Sequence, residues 1–220
     1  MDQKLFFLIN RDWTGPVPDR FMAALSSLDF WIPPLLVLIV AVAVFGGFKA
    51  RAMLATLIVT VAVTDGVVVH ILKQWVNRPR PHQVEAARVV TLRKAFPATL
   101  GVFREPKVKI SKPETGPIEG RSFPSGHTTN NFAVAVVLTA FFRRAWPYFL
   151  FAGAIGYSRI YTASHWPSDV ALSAVLGTAL GLVVVALSRA AWKRWAPGLL
   201  PGLYRRHPSL IETYAENPAQ

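Results

Sequence analysis

The sequence predicts an all-α membrane protein, a helical bundle of about five to six transmembrane helices preceded by N-terminal amphipathic helices that lie at the interface. Of 220 residues, 52% are hydrophobic and 16% charged, a balance too apolar for a soluble domain of this size. The apolar residues also gather into long runs, and the polar blocks between them fall at run ends, where a helix would meet water.

Crossing a bilayer core takes about 20 helical residues, and five segments approach that length: Phe30–Phe48, Ala52–Leu72, Ser125–Phe142, Trp146–Tyr161 and Pro167–Leu187. The third and fourth are short, so their polar ends must pack against protein or a polar cavity. Pro167 suits the first turn of the fifth helix, where its missing N–H costs nothing.

Residues 1–28 mix Leu5, Phe6, Leu8, Ile9, Phe21, Met22, Leu25 and Leu28 with Arg11, Asp12, Asp19 and Arg20, and are broken at Gly15, Pro16 and Pro18. This predicts two short amphipathic helices at the membrane surface. The apolar run Leu5–Ile9 is too short for the core of a signal peptide, so no cleavage is expected.

Residues 82–122 read as one polar connection rich in Pro, Gly and basic residues, long enough to be functional. The whole chain reads as one domain, 1–220, with 82–122 as an extracytoplasmic loop and 190–220 as a cytoplasmic tail.

Orientation follows from the short loops. Lys49 and Arg51, Arg143 and Arg144, and Arg189, Lys193 and Arg194 fall on one side of a five-span arrangement, which the positive-inside rule makes cytoplasmic. The polar blocks then face the periplasm or cell exterior, and the protein is expected as a multi-pass protein of the inner membrane.

The formal charge of +12 would point to nucleic acid in a soluble protein. Here the basic residues flank apolar runs, so no nucleic-acid partner is expected and anionic membrane lipids are. No obligate protein partner is evident. There is no cysteine, which excludes disulfides, a thiolate nucleophile and a thiolate metal site.

Three blocks carry the chemistry. Lys73 and Arg80, followed by Pro81, close the second span, and an ammonium with a guanidinium fork supplies charge and shaped donors for a phosphate. Alone, Lys73, Arg78 and Arg80 could equally be a snorkelling basic flank. The second block, Pro124-Ser125-Gly126-His127, opens the third span. Helix-terminal amides and a glycine admit an anion closely, although a capping turn would explain the same residues.

The third block runs from Ser158 to Asp169. His165 and Asp169 are four apart, so a helix would put them on one face, with Asp169 holding one ring nitrogen while the other attacks. Arg159 can reach the same phosphate across a tight turn. An interfacial ion pair beside Trp166 is the plainer reading of His165 and Asp169, but the three plain readings would all have to hold on the same membrane face.

Together these blocks (Lys73, six residues, Arg80-Pro81; Pro124-Ser125-Gly126-His127; Ser158-Arg159, five residues, His165, three residues, Asp169) resemble the signature of the type 2 phosphatidic acid phosphatase family, related in its core to vanadium haloperoxidases. The resemblance implies that His165 attacks phosphorus and becomes phosphohistidine, with Asp169 orienting it. His127 would be general acid and then activate water, while Lys73, Arg80, Arg159, Ser125 and the Gly126 amide hold the phosphoryl oxygens. No metal or other cofactor is implied, and the blocks contain neither a carboxylate cluster nor a His-x-x-x-His pair.

The expected function is hydrolysis of a lipid phosphomonoester or diphosphate. Undecaprenyl diphosphate leads on the side assignment; phosphatidylglycerol phosphate, phosphatidate and a lipid A phosphate are also compatible. Transfer of the phosphoryl group to another acceptor and a non-enzymatic lipid-binding or transport role are the alternatives. Asp65, about 12 Å along a helix from Lys73, is expected to play a structural hydrogen-bonding part. Asn130 and Asn131 suit either the site or interhelical bonds, His82 reads as a loop residue, and the seven tryptophans, which mostly fall near span ends, read as an aromatic belt.

Overall fold

The computed structural model describes residues 1–211; the last part of the expected tail, 212–220, lies outside the described residues. The chain begins with α1 (Asp2–Phe7), continues through a π-helical turn (Leu8–Asp12), and enters α2 (Pro16–Ser26) and α3 (Leu28–Phe45). Gly46 and Gly47 separate α3 from α4 (Phe48–Val63), which passes through a second π-helical turn (Thr64–Val69) into α5 (His70–Val76). After α6 (Pro81–Val84) come strands β1 (Arg88–Thr91) and β2 (Lys107–Ile110), then α7 (Gly126–Phe141), α8 (Tyr148–Tyr161), α9 (Pro167–Leu199) and α10 (Pro201–Arg206).

Among the described residues, three helical stretches are long and apolar enough to cross a membrane: Leu28–Phe45, Phe48–Val84 and Pro167–Leu199. α3 buries none of its residues in the protein, so its apolar surface is left for lipid. The 16 residues of α7 and 14 of α8 make helices of about 24 and 21 Å, and the longer spans flank them. The fifth span does not stop at Leu187. α9 continues to Leu199 and carries Arg189, Lys193 and Arg194 on the helix itself, after which α10 folds back so that Trp192 Nε1 donates to the His207 carbonyl at 3.0 Å and His207 stacks on Phe48.

Small residues set the centre of the bundle. A Cβ on Gly177 of α9 would lie 2.2 Å from the Thr129 carbonyl oxygen of α7, and one on Gly181 would lie 2.8 Å from Val136 Cβ. Two glycines four apart thus let α9 lie against α7 at backbone distance, the packing used where lipid gives no hydrophobic drive.

The long connection is not structureless. β1 and β2 pair antiparallel, Arg88 opposite Ile110 and Thr91 opposite Lys107, giving an otherwise helical fold a two-stranded ribbon. The 15 residues between the strands hide the hairpin from a search for short turns.

The N-terminal helices cover the end of the bundle that carries the polar blocks. Phe6 and Ile9 are buried with Tyr161, Ala163 and Trp166, and Asn10 Nδ2 donates to the carbonyls of Arg88 and Tyr161, each at 2.8 Å. Asp19 on α2 is a second anchor. It accepts from both terminal nitrogens of Arg88, one at 2.6 Å, and from the Tyr161 hydroxyl at 2.6 Å.

Burial alone would raise the Asp19 carboxyl pKa, but the bonds from Arg88 and Tyr161 and the Arg88 charge outweigh it and hold the group below its ordinary value. A carboxyl with a depressed pKa contributes stability above its unfolded value near 3.8 and loses it as pH falls through the folded value. Asp19→Asn should therefore cost about 3 kcal/mol at neutral pH, read as a lowered unfolding midpoint in detergent, with the loss shrinking below that carboxylate range. An unchanged midpoint at neutral pH would show that this pair does not secure α2.

Candidate active site

The site lies where α5 ends, α7 and α9 begin and α8 ends. Lys73 is on α5, which closes at Asn77 in the left-handed conformation, φ 45°. The chain then turns so that Arg80 caps α6 and Pro81 occupies its first turn. The returning end of the 82–122 connection is stitched to this turn: the Gly120 amide donates to Asn77 Oδ1 at 2.7 Å and the Ser122 amide to the Arg78 carbonyl at 2.8 Å.

Ser125 caps α7 and is buried; its amide donates to Ser173 Oγ at 2.8 Å, and its hydroxyl accepts from Thr128 Oγ1 at 3.0 Å. That acceptance leaves the Ser125 hydroxyl hydrogen free to donate. Gly126 is closely hemmed in, since a Cβ there would lie 3.0 Å from Asp65 Oδ1 and 3.9 Å from Lys73 Nζ. One point at the start of α7 thus has the first block's ammonium and an intramembrane carboxylate beside it.

Between α8 and α9 the chain makes a tight turn in which Ala163 takes φ 58°. The amides of Ser164 and His165 both donate to the Arg159 carbonyl, at 3.0 and 3.2 Å. His82 steadies the turn, its Nδ1–H donating to the Ala163 carbonyl at 2.9 Å. The Arg159 side chain donates through one terminal nitrogen to the Ser26 carbonyl at 2.9 Å and to the Ser26 hydroxyl, so the end of α2 aims the guanidinium.

His165 is 3% exposed, and its Nδ1 lies 2.5 Å from the Ser122 carbonyl oxygen. A carbonyl can only accept, so Nδ1 carries the hydrogen and Nε2 keeps its lone pair. Burial first, then the charges of Arg159 and Arg80, push the His165 pKa well below 6.5; the Ser122 bond opposes this without reversing it. Among the described residues, the buried side-chain polar atoms without a partner include Arg80 Nε, Arg159 Nε and His127 Nε2, and neither Lys73 nor Arg80 has a side-chain hydrogen bond or ion pair. The charges of Lys73, Arg80 and Arg159 all reach His127 and His165. Cations whose charges act on one another stay together at a cost that an oxyanion offsets, and a buried ring with a free lone pair within their influence can attack that oxyanion's phosphorus.

The family model described as the PAP2 superfamily matches residues 51–193, which hold all three blocks. This chain belongs to the PAP2 superfamily. It is 26% identical over 167 residues to a lipid A 4'-phosphatase of Bacteroides thetaiotaomicron, a match covering 74% of this chain and 66% of that protein. It is 35% identical over 68 residues to the undecaprenyl-diphosphatase BcrC of Bacillus subtilis, covering 30% of this chain and 35% of the relative. The chain thus spans just under two thirds of the first of these relatives and about a third of the second. A crystal structure of Aquifex aeolicus LpxE superposes with a TM-score of 0.59 at 27% identity, covering 84% of this chain and 94% of that one.

The structure of this PAP2 chain differs from the sequence expectation at His165. α9 starts at Pro167, so His165 stands in the turn before the helix and the i, i+4 geometry with Asp169 does not arise. Asp169 instead folds back as the third residue of the helix to accept from the Trp166 amide at 3.1 Å, and also accepts from Ser122 Oγ at 2.5 Å and Arg78 at 2.6 Å. Ser122 is the link: its carbonyl holds the ring and its hydroxyl holds the carboxylate. No motif or periodicity marked it.

Other readings also change. Asp65, expected in a structural hydrogen-bonding role, sits beside Gly126 in the π-helical turn. Trp166 is no belt residue; it is buried against Phe6 and its Nε1 donates to the Pro79 carbonyl at 2.9 Å. Asn130 and Asn131 do make bonds to other helices, with Thr64 at 2.6 Å and Tyr148 at 2.8 Å. His82 supports the turn that carries His165.

The His165 geometry has a direct spectroscopic consequence. In the detergent-solubilised protein labelled at histidine, the resonance lost in His165→Asn should titrate below pH 6.5, with the neutral form protonated at Nδ1. A midpoint at or above 6.5, or an Nε2–H tautomer, would contradict the arrangement.

Proposed function

We propose that this protein is an integral-membrane lipid phosphate phosphatase that works through phosphohistidine on His165. The observation that carries the reading is a buried imidazole, its Nδ1–H given to Ser122, within reach of the charges of Lys73, Arg80 and Arg159, which are not balanced by an ion pair among the described residues. Nε2 of His165 attacks phosphorus, and the bond to the lipid oxygen breaks. His127 gives its proton to that oxygen. Water then attacks the phosphohistidine, His127 takes the water's proton, the N–P bond breaks and neutral His165 returns.

Lys73, Arg80, Arg159, the Ser125 hydroxyl and the Gly126 amide hold the phosphoryl oxygens, stabilising charge as it spreads over them. Asp169 supports His165 through Ser122. These groups supply the charge stabilisation that phosphoryl transfer needs, so no metal is invoked.

Among lipid phosphates, the broader match to a lipid A 4'-phosphatase, 74% of this chain, favours a phosphomonoester on a glycolipid. The shorter but closer match to an undecaprenyl-diphosphatase, 35% identical, supports undecaprenyl diphosphate as second reading. The basic residues Lys49, Arg51, Arg143 and Arg144 lie at the ends of α3, α4, α7 and α8 opposite to the site, with Arg189, Lys193 and Arg194 along the last turns of α9. That asymmetry supports a site on the periplasmic face of the inner membrane.

The test is phosphate release by the purified protein, with EDTA present, over lipid A, undecaprenyl diphosphate, phosphatidylglycerol phosphate and phosphatidate. One substrate should yield phosphate one for one with dephosphorylated lipid, His165→Ala should abolish release, and Arg80→Lys should lower kcat/KM by about a hundredfold, because an ammonium cannot replace the fork. Release that persists in His165→Ala, or dephosphorylated lipid without free phosphate, would overturn hydrolysis through His165.

A further inference from the structure

Asp169 is fully buried, and its charge is balanced by Arg78, which belongs to none of the expected site residues. One terminal nitrogen of Arg78 donates to Asp169 Oδ1 at 2.6 Å and to Ser168 Oγ at 2.8 Å, and the other donates to Asp2 Oδ2 at 2.6 Å. Asp2 in turn accepts from the Ser168 amide at 2.9 Å and the Ser168 hydroxyl at 2.6 Å. A guanidinium is planar, so fixing both ends of the fork fixes its plane. The Asp2 carboxyl would be raised by its partial burial, but the Ser168 and Arg78 bonds hold it below its ordinary value.

The element that carries Asp2 is itself well seated. Phe6 is buried with its ring 5.3 Å from that of Trp166, whose indole bonds Pro79 two residues before Arg80. Asp2 therefore reaches Arg78 from a helix locked to the same turn that presents His165 and Asp169. A chain of hydrogen bonds runs from Asp2 to Arg78, Asp169, the Ser122 hydroxyl and, through the Ser122 residue itself, its carbonyl and His165 Nδ1.

We infer that Asp2 is a positioning residue for the nucleophile, acting through Arg78 on Asp169 and Ser122, so that the N-terminal helix is part of the catalytic support. This rests on the reading of His165 as nucleophile. Asp2 lies outside the group of cations that would hold phosphate, so it sets how fast His165 attacks and leaves phosphate affinity alone.

Asp2→Asn removes the charge while keeping the shape. It should lower kcat by about tenfold, the scale on which outer-shell partners of a site act, with the inhibition constant for inorganic phosphate unchanged. Asp2→Glu should recover part of the loss. In an Arg78→Gln background Asp2→Asn should have no further effect, because a residue acting through another is not additive with it. Wild-type kcat in Asp2→Asn, a matching rise in the phosphate inhibition constant, or additivity with Arg78→Gln would overturn the inference.

A readout independent of turnover separates this inference from the reading beneath it. The His165 Nδ1–H proton resonance should be slow to exchange in the wild type and broadened or lost in Asp2→Asn. If the wild type releases no phosphate from any lipid, the phosphatase reading fails. The relay still fails or stands on that resonance, and an unchanged resonance sinks it.

Discussion

The end of this protein that carries the three polar blocks depends on how one buried carboxylate is balanced. Asp169 is shut away from water at the start of α9, where an unpaired charge would be too costly to keep. Arg78, Ser122 and the Trp166 amide each give it a donor. Arg78 comes from the turn after α5, Ser122 from the segment leading to α7, and Trp166 from the cap of α9, so satisfying one charge brings three separate parts of the chain into register. The His165 ring is then held by the same Ser122 through its carbonyl.

The opposite condition holds at the neighbouring cations. Lys73, Arg80 and Arg159 gather around His127 and His165 without an ion pair among the described residues, an arrangement that repels itself. The scaffold supplies the force that keeps it: glycine-mediated contact of α9 with α7, the Ser26 bonds to Arg159, and the lock of α2 through Asp19 and Arg88. Asp65 beside Gly126 and Lys73 adds a negative charge at the edge of this cluster. The scaffold thus holds positive charge ready before a phosphate arrives, which is how electrostatic stabilisation avoids reorganisation during the reaction.

Much of this was legible in the sequence. The apolar runs located α3, α4 with α5, and α9, because lipid demands long uninterrupted helices. The spacing of Lys73 to Arg80, of Ser125 to His127 and of Arg159 to Asp169 marked the residues that now stand at one end of the bundle. What stayed hidden was tertiary: Ser122 acts through its backbone carbonyl, which no side-chain pattern records, Arg78 resembles any flanking arginine, and Asp2 lies 76 residues from its partner. The helical spacing of His165 and Asp169 misled because Pro167 starts the helix two residues too late for His165 to share its face.

In the proposed reaction His165 Nε2 bonds to phosphorus, and the most direct measurement is to trap that bond. Rapid quenching with a lipid phosphate labelled in its phosphoryl group should give labelled protein that is stable to base and labile to acid, with the label on the peptide containing His165 and absent from His165→Asn. Label on another residue, or turnover with no labelled protein at any time, would contradict it.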